Sequence, residues 1–355
     1  MKPNFSHNSI NIIASIQKHF GKYPSYDTLD VCDEALLGKN HVIIVLLDGL
    51  GHRILEKLLP KDSFLRTHQK ETLTAIFPPT TVAATTSLIS GQLPGKTGWI
   101  GWHQYFEDIN QHLVMFTGED YYTKEKLSSN TLINRLPYEP FYASLDNVVG
   151  KQLYPSFKKD GYDTFEAIID AAILRTKNHE KTITYVYWDY PDALMHEFGC
   201  FDLKVKNNVK RLNDVLQEKT SKLSKDTLVI VTADHGLADV EPIYLYLDKK
   251  LYQTLKTKPS CEGRATVFFV DDEEGFVDHF EKMYGKWFTL LSRDAFIKEN
   301  YIGDDVSKAI PFLGDYIAIA TSKYFFITVE GGLIFKAAHA GLTEDEMEVP
   351  LILIH

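Results

Sequence analysis

Residues 227–236 read Thr-Leu-Val-Ile-Val-Thr-Ala-Asp-His-Gly, a β-branched and apolar run that stops on an acid and an imidazole. A run of this kind without polar alternation is the pattern of a strand covered on both faces, which implies a parallel or mostly parallel sheet under helices. Residues 42–47 (VIIVLL) run in the same way into Asp48-Gly49, and residues 183–188 (ITYVYW) into Asp189, with Asp192 following. Between these runs, Phe165, Ile168, Ile169, Ala172 and Ile173 share one helical face, and Val205, Val209, Leu212 and Leu216 share another. Alternating strands and helices over residues 40–235 predict a doubly wound α/β fold with a mostly parallel sheet. In such folds the chemistry gathers at the carboxyl ends of the strands.

The chain after this stretch changes character. Residues 265–270, 316–320 and 324–327 are strand-like, an acidic amphipathic helix is expected from Asp271 to Tyr284, and none of these strands ends on a cluster of metal-binding type. The expectation is a core made of residues 1–239 and 336–355, interrupted at 240–335 by a smaller inserted α+β lid. A last core strand is expected at 349–354, with Pro350 near its start where a missing N–H is tolerated.

Composition narrows the function classes. The 355 residues are 44% hydrophobic and 24% charged, ordinary globular values. Lys and Arg total 38 against 48 Asp and Glu, a net charge of −10 with no basic stripe, so a nucleic-acid duplex is not an expected partner. Cys32, Cys200 and Cys261 are widely spaced and form no C-x-x-C, which argues against a disulfide framework and a zinc ribbon. The first residues are polar and no apolar run reaches about 18 residues, so neither a signal peptide nor a membrane span is expected. A soluble cytoplasmic protein is the resulting expectation.

Candidate ligands fall at the ends of the expected strands: Asp48, Asp192, His196, Asp234, His235 and His339. Their mixed carboxylate and imidazole donors suit two zinc-like divalent ions, manganese being the other candidate. Asp192 and His196 would lie on one face of a helix. Any one of these alone reads equally as a cap, a turn residue or a helical ion pair. The segment 77–98, FPPTTVAATTSLISGQLPGKTG, must start extended, because a residue before proline is pushed out of the helical region. A helix of small residues follows over 82–90, placing Thr80 or Thr81 at its N-terminus. A threonine there is either a plain N-cap or a hydroxyl nucleophile beside an anion-binding helix end.

Two short matches carry no function. Gly91 to Thr97 is one residue short of a P-loop and follows a helix, and His196-Glu197 lacks the second His of a zincin because Cys200 stands there. Taken in order, VLLDGLG, FPPTT with SGQLPG, YWDYPDALMHEFG, VTADHG and AAHAGLTEDEMEVPLIL resemble the alkaline phosphatase superfamily, and within it the type I phosphodiesterase/nucleotide pyrophosphatase family.

The resemblance implies a hydrolase of phosphate ester or anhydride bonds acting on a small phosphorylated substrate. Thr81 matches the threonine that becomes transiently phosphorylated. Asp48, Thr81, Asp234 and His235 match the ligands of one zinc, and Asp192, His196 and His339 those of the other. The Val82 N–H is a further donor to the phosphoryl group. The chain departs from the family where Val82-Ala83-Ala84-Thr85 replaces Phe-Pro-Asn-His, and where Trp102 stands at the spacing of a phosphate-contacting Asn; His103 then becomes a candidate for that contact. These departures leave open a phosphomonoesterase, a phosphonate hydrolase or a phosphotransferase of the same superfamily, and a silent metal-binding homologue.

Overall fold

The computed structural model describes residues 1–127, 131–178 and 180–355. Its central sheet has six strands in the order Gln69–Thr74, Glu348–Ile354, Thr227–Thr232, His41–Leu47, Thr182–Trp188, Val149–Leu153. The last four are parallel, and Glu348–Ile354 is antiparallel to both of its neighbours. Every residue of the three central parallel strands is buried, as their unbroken apolar runs require. Leu47 lies level with Trp188 and Leu46 with Thr232. The chain therefore leaves all three strands at one edge, carrying Asp48, the turn before Asp192, and Asp234-His235 with it. The flanking helices Phe165–Asn178 and Leu203–Thr220 bury the faces expected of them, including Ile168, Ala172, Val209 and Leu216.

The two strands at the sheet's edges give little sequence signal, because an edge strand is only partly covered and keeps polar residues. Gln69–Thr74 and Val149–Leu153 are such strands, with a single buried residue each. Pro350 sits inside the sheet rather than at its margin. It lies opposite Thr72 of the edge strand, while pairing with Thr227–Thr232 begins only at Ile352. Its missing N–H thus falls outside the pairing to the central neighbour.

A second six-stranded sheet, antiparallel throughout, runs Phe288–Ser292, Tyr316–Ala320, Ala265–Phe268, Ser260–Cys261, His103–Phe106, Gln111–Val114. Four strands come from the expected insertion and two do not, so the cap is not confined to 240–335. His103–Phe106 escapes sequence reading because four residues, His-Gln-Tyr-Phe, are too few to display a period. The sheet's two faces have separate partners, as the period of two dictates. Val267, Ile317 and Ile319 pack in one cluster with Phe77 and Val82, while Phe268, Ala318 and Ala320 pack in another with Phe276 and Phe280 of the helix Glu273–Tyr284. The first face braces the segment that carries Thr80 and Thr81.

A fully buried ion pair ties this sheet to the chain around His339. Arg264 donates to Glu346 through Nε and Nη2, each at 2.6 Å, and both side chains are solvent-free. Glu346 in turn accepts the Gly341 N–H at 2.7 Å and offers its backbone carbonyl to Gly236 N at 2.9 Å. Among the described residues, no helix is long and apolar enough to cross a membrane.

Candidate metal centre

Pro78 and Pro79 keep the chain extended up to Thr80, whose φ of −140° and ψ of 146° make it the N-cap of the helix Thr81–Ser90. Small residues, among them Ala83, Ala84 and Ser87, allow this helix to be buried almost throughout. The two threonines send their hydroxyls to different partners. Thr80 Oγ1 donates to Glu262 Oε1 at 2.6 Å. Thr81 Oγ1 lies 3.4 Å from Asp48 Oδ2 and 3.3 Å from His235 Nε2.

Asp48 is reached from three sides. Tyr187 donates its phenolic hydrogen to Oδ2, Oδ1 lies 3.4 Å from His235 Nε2, and the backbone carbonyl accepts the Asp192 N–H at 3.0 Å. Asp234 Oδ1 accepts the N–H groups of Gly49 and His235, each at 3.1 Å. Gly49 itself is required by its φ of +73° and by Leu237 and Asp192 packed where a Cβ would stand.

Asp192 opens the short helix Asp192–Phe198, and His196 one turn on places Nε2 3.2 Å from Asp192 Oδ2. The other His196 nitrogen, Nδ1, lies 2.7 Å from the Ala337 carbonyl, His339 Nδ1 lies 3.1 Å from that of Pro79, and His235 Nδ1 3.1 Å from that of Gly236. Each ring therefore has one nitrogen fixed on a backbone carbonyl, which leaves the other as an acceptor for a cation. The rings of His235 and His339 stack at 3.8 Å.

Ligand atoms of Asp192, His196 and His339 all lie within 4.8 Å of one another, and so do those of Asp48, Asp192 and His235. Asp48 Oδ1, Asp192 Oδ1 and Asp234 Oδ2 are buried without a hydrogen-bond partner among the described residues. Burial, with Asp234 and Asp192 adding like charge, pushes the Asp48 carboxyl well above the usual carboxylate range, and burial raises Asp234 also. Asp192 goes the other way: burial opposes its charge, but His196, His339 and His235 hold it low. Three close acids with bare oxygens beside three imidazoles fit divalent cations bound by mixed oxygen and nitrogen donors.

The residues expected to contact substrate are placed less uniformly. Val82, the second residue of its helix, buries its side chain in the Phe77 cluster and has its N–H in the first turn, where no intrahelical acceptor exists. Trp102 is 42% exposed, edge-on to Phe116. His103 is packed instead of open: it is buried and stacked on Tyr121 at 3.8 Å, and burial together with His112 drops its pKa to about 3. A ring closed off from solvent and stacked beneath a tyrosine is packed into the aromatic segment. Glu262 was not legible as a site residue, since an acid between Cys261 and Gly263 reads as a turn. It lies at the centre through Thr80, and its Oε1 also accepts the Trp102 N–H at 2.7 Å.

The sequence matches the family described as type I phosphodiesterase / nucleotide pyrophosphatase over residues 42–333. None of the curated proteins matches it. Among solved structures it resembles murine ectonucleotide pyrophosphatase / phosphodiesterase 5 in an inactive form in complex with AMP, at 16% identity over 87% of both chains and a TM-score of 0.60. The human ectonucleotide pyrophosphatase / phosphodiesterase 5 is similar at 17% identity over 87% of both chains, with a TM-score of 0.63. At these identities the likeness shows the fold, an alkaline-phosphatase-like α/β architecture.

Proposed function

Since the chain belongs to the type I phosphodiesterase / nucleotide pyrophosphatase family and is a phosphoester hydrolase, we propose that it cleaves small nucleotide-like phosphodiesters or anhydrides through phosphorylation of Thr81. The observation that carries this reading is the direction of the Thr81 hydroxyl, which lies between Asp48 and His235 while its neighbour Thr80 turns to Glu262. In this reading Asp48, Thr81, Asp234 and His235 hold one divalent ion and Asp192, His196 and His339 the other, zinc being favoured by the donors. The ions would neutralise phosphoryl charge and lower the pKa of the attacking oxygen.

Thr81 Oγ1 forms the new bond to phosphorus as its proton departs, and the bond from phosphorus to the leaving oxygen breaks. Water then attacks the phospho-threonine, releasing the phosphate monoester and restoring the hydroxyl. The Val82 N–H, at the positive end of a ten-residue helix, would donate to a phosphoryl oxygen. The exposed face of Trp102 offers a stacking surface for a base, in keeping with the AMP held by the murine structure. Three buried free cysteines favour a reducing, cytoplasmic setting.

The test is to quench the zinc-loaded protein during turnover of bis-p-nitrophenyl phosphate and locate the modified residue by mass spectrometry. A p-nitrophenylphosphoryl group on Thr81, absent in Thr81→Ala, is expected. Turnover that survives Thr81→Ala undiminished overturns the reading.

A further inference from the structure

Glu262 is a half-buried acid that takes part in no salt bridge among the described residues, and its bonds are to a hydroxyl and a backbone N–H. Acids in that position are rare because desolvation disfavours their charge. Burial raises this one to a pKa of about 7, and His196 and Asp192 are near enough to act on its charge.

Its placement is over-determined. Cys261 pairs across to His103 in the second sheet and has a φ of +80°, an unfavourable conformation for a residue with a Cβ. The backbone turn that results sends the next side chain toward the N-cap of the Thr81 helix. Gly101 makes room for the Cys261 side chain, since a Cβ there would meet its Sγ at 2.3 Å. Both hydrogen bonds fall on Oε1, so Oε2 keeps its lone pairs. Glu262 is also outside the two groups of clustered ligand atoms and stands as a charge beside the centre.

We propose that Glu262 sets charge selectivity at the phosphoryl site, its carboxylate penalising a second negative charge on the bound group. The inference rests on Thr81 being the nucleophile, because that fixes the phosphoryl group one residue from the Thr80–Glu262 bond. A phosphodiester carries one negative charge near neutral pH, whereas a monoester or free phosphate carries close to two. At the effective dielectric of a partly buried site, an added like charge within about 6 Å is disfavoured by about tenfold to a hundredfold. A carboxylate in this place thus favours the diester and speeds departure of the monoester formed from it.

The decisive measurement is binding, so that it does not depend on turnover. Dissociation constants for inorganic phosphate, AMP and diphenyl phosphate are measured by calorimetry on zinc-loaded wild type, Glu262→Gln, Glu262→Ser and Glu262→Asp at about pH 8.5, above the carboxyl's own range. Removing the charge in Gln or Ser is expected to tighten phosphate and AMP by about tenfold or more relative to diphenyl phosphate, while Asp keeps the wild-type ratio. The Ser variant answers the question should the Gln variant not fold. A ratio unchanged within about twofold in a folded, zinc-loaded variant overturns the proposal. Failure of the parent reading registers separately, as diester hydrolysis that is absent or that persists in Thr81→Ala.

Discussion

His339 lays its imidazole against that of His235, with centroids 3.8 Å apart and planes 22° from parallel. Burial, followed by the His235 ring, holds His339 well below the ordinary histidine range. A neutral ring is the form that ligates a metal. The two donor groups therefore touch through this stack and also share Asp192. His339→Ala is expected to reduce tightly bound zinc to about one ion per chain, as measured by elemental analysis after dialysis. Retention of two equivalents would mean that His339 is no ligand.

Tyr187 holds Asp48 through a buried hydrogen bond. Burial first, then Asp48 itself, drives the phenol far above its usual range, so it stays a donor at every working pH. Tyr187→Phe keeps the ring packing and frees Asp48 to rotate. Zinc affinity should fall by about tenfold to a hundredfold, read by competition with a chromophoric chelator, while the far-ultraviolet circular dichroism is unchanged. An affinity within about twofold of wild type would show that Asp48 needs no such support.

Glu262 links stability to pH in the metal-free protein. Its pKa rises from 4.5 to about 7 on folding, through burial, so the folded state binds the proton more tightly than the unfolded state does. The contribution is complete below pH 4.5 and is lost as pH climbs through about 7. Urea titrations should show wild type losing of order 2 kcal/mol against Glu262→Gln across that window. Parallel pH profiles for the two proteins would rule the linkage out.

Much of the architecture was legible because its central strands are buried on both faces and announce themselves as unbroken apolar runs. The acids and imidazoles at their ends were legible for a related reason: polar residues that interrupt such runs must have partners. Edge strands such as Val149–Leu153 were not, because half-covered strands keep a polar composition. The share of the second sheet supplied by His103–Phe106 was hidden as well, since pairing between segments so far apart leaves no local pattern. Glu262 belongs to the same class. Its importance comes from a fold that brings it to Thr80, and nothing beside it in the chain marks it.

The Arg264–Glu346 pair keeps both of its charged side chains out of solvent. Arg264→Leu strands a carboxylate that also holds Gly341 and Thr343, and should cost about 3–5 kcal/mol in urea unfolding. Because Glu346 touches the backbone on the far side of both His235 and His339, the surviving folded protein should also bind zinc more weakly. A loss under about 1 kcal/mol would assign the pair to the surface-like class that contributes little.

The order in which the centre is assembled follows from the strand map. Glu348–Ile354 lies between Gln69–Thr74 and Thr227–Thr232, and Cys261 pairs with His103, so both sheets close only when late segments join early ones. A nascent chain that has exposed Asp48, Asp192 and Asp234 still lacks His339 and the strand that seats it. Three acids destined for one another would meet before the last of their imidazole neighbours is in place, and such long-range closures are intrinsically slow. The centre is therefore complete only once the segment that carries His339 has joined the sheet, so the timing of its assembly is dictated by topology.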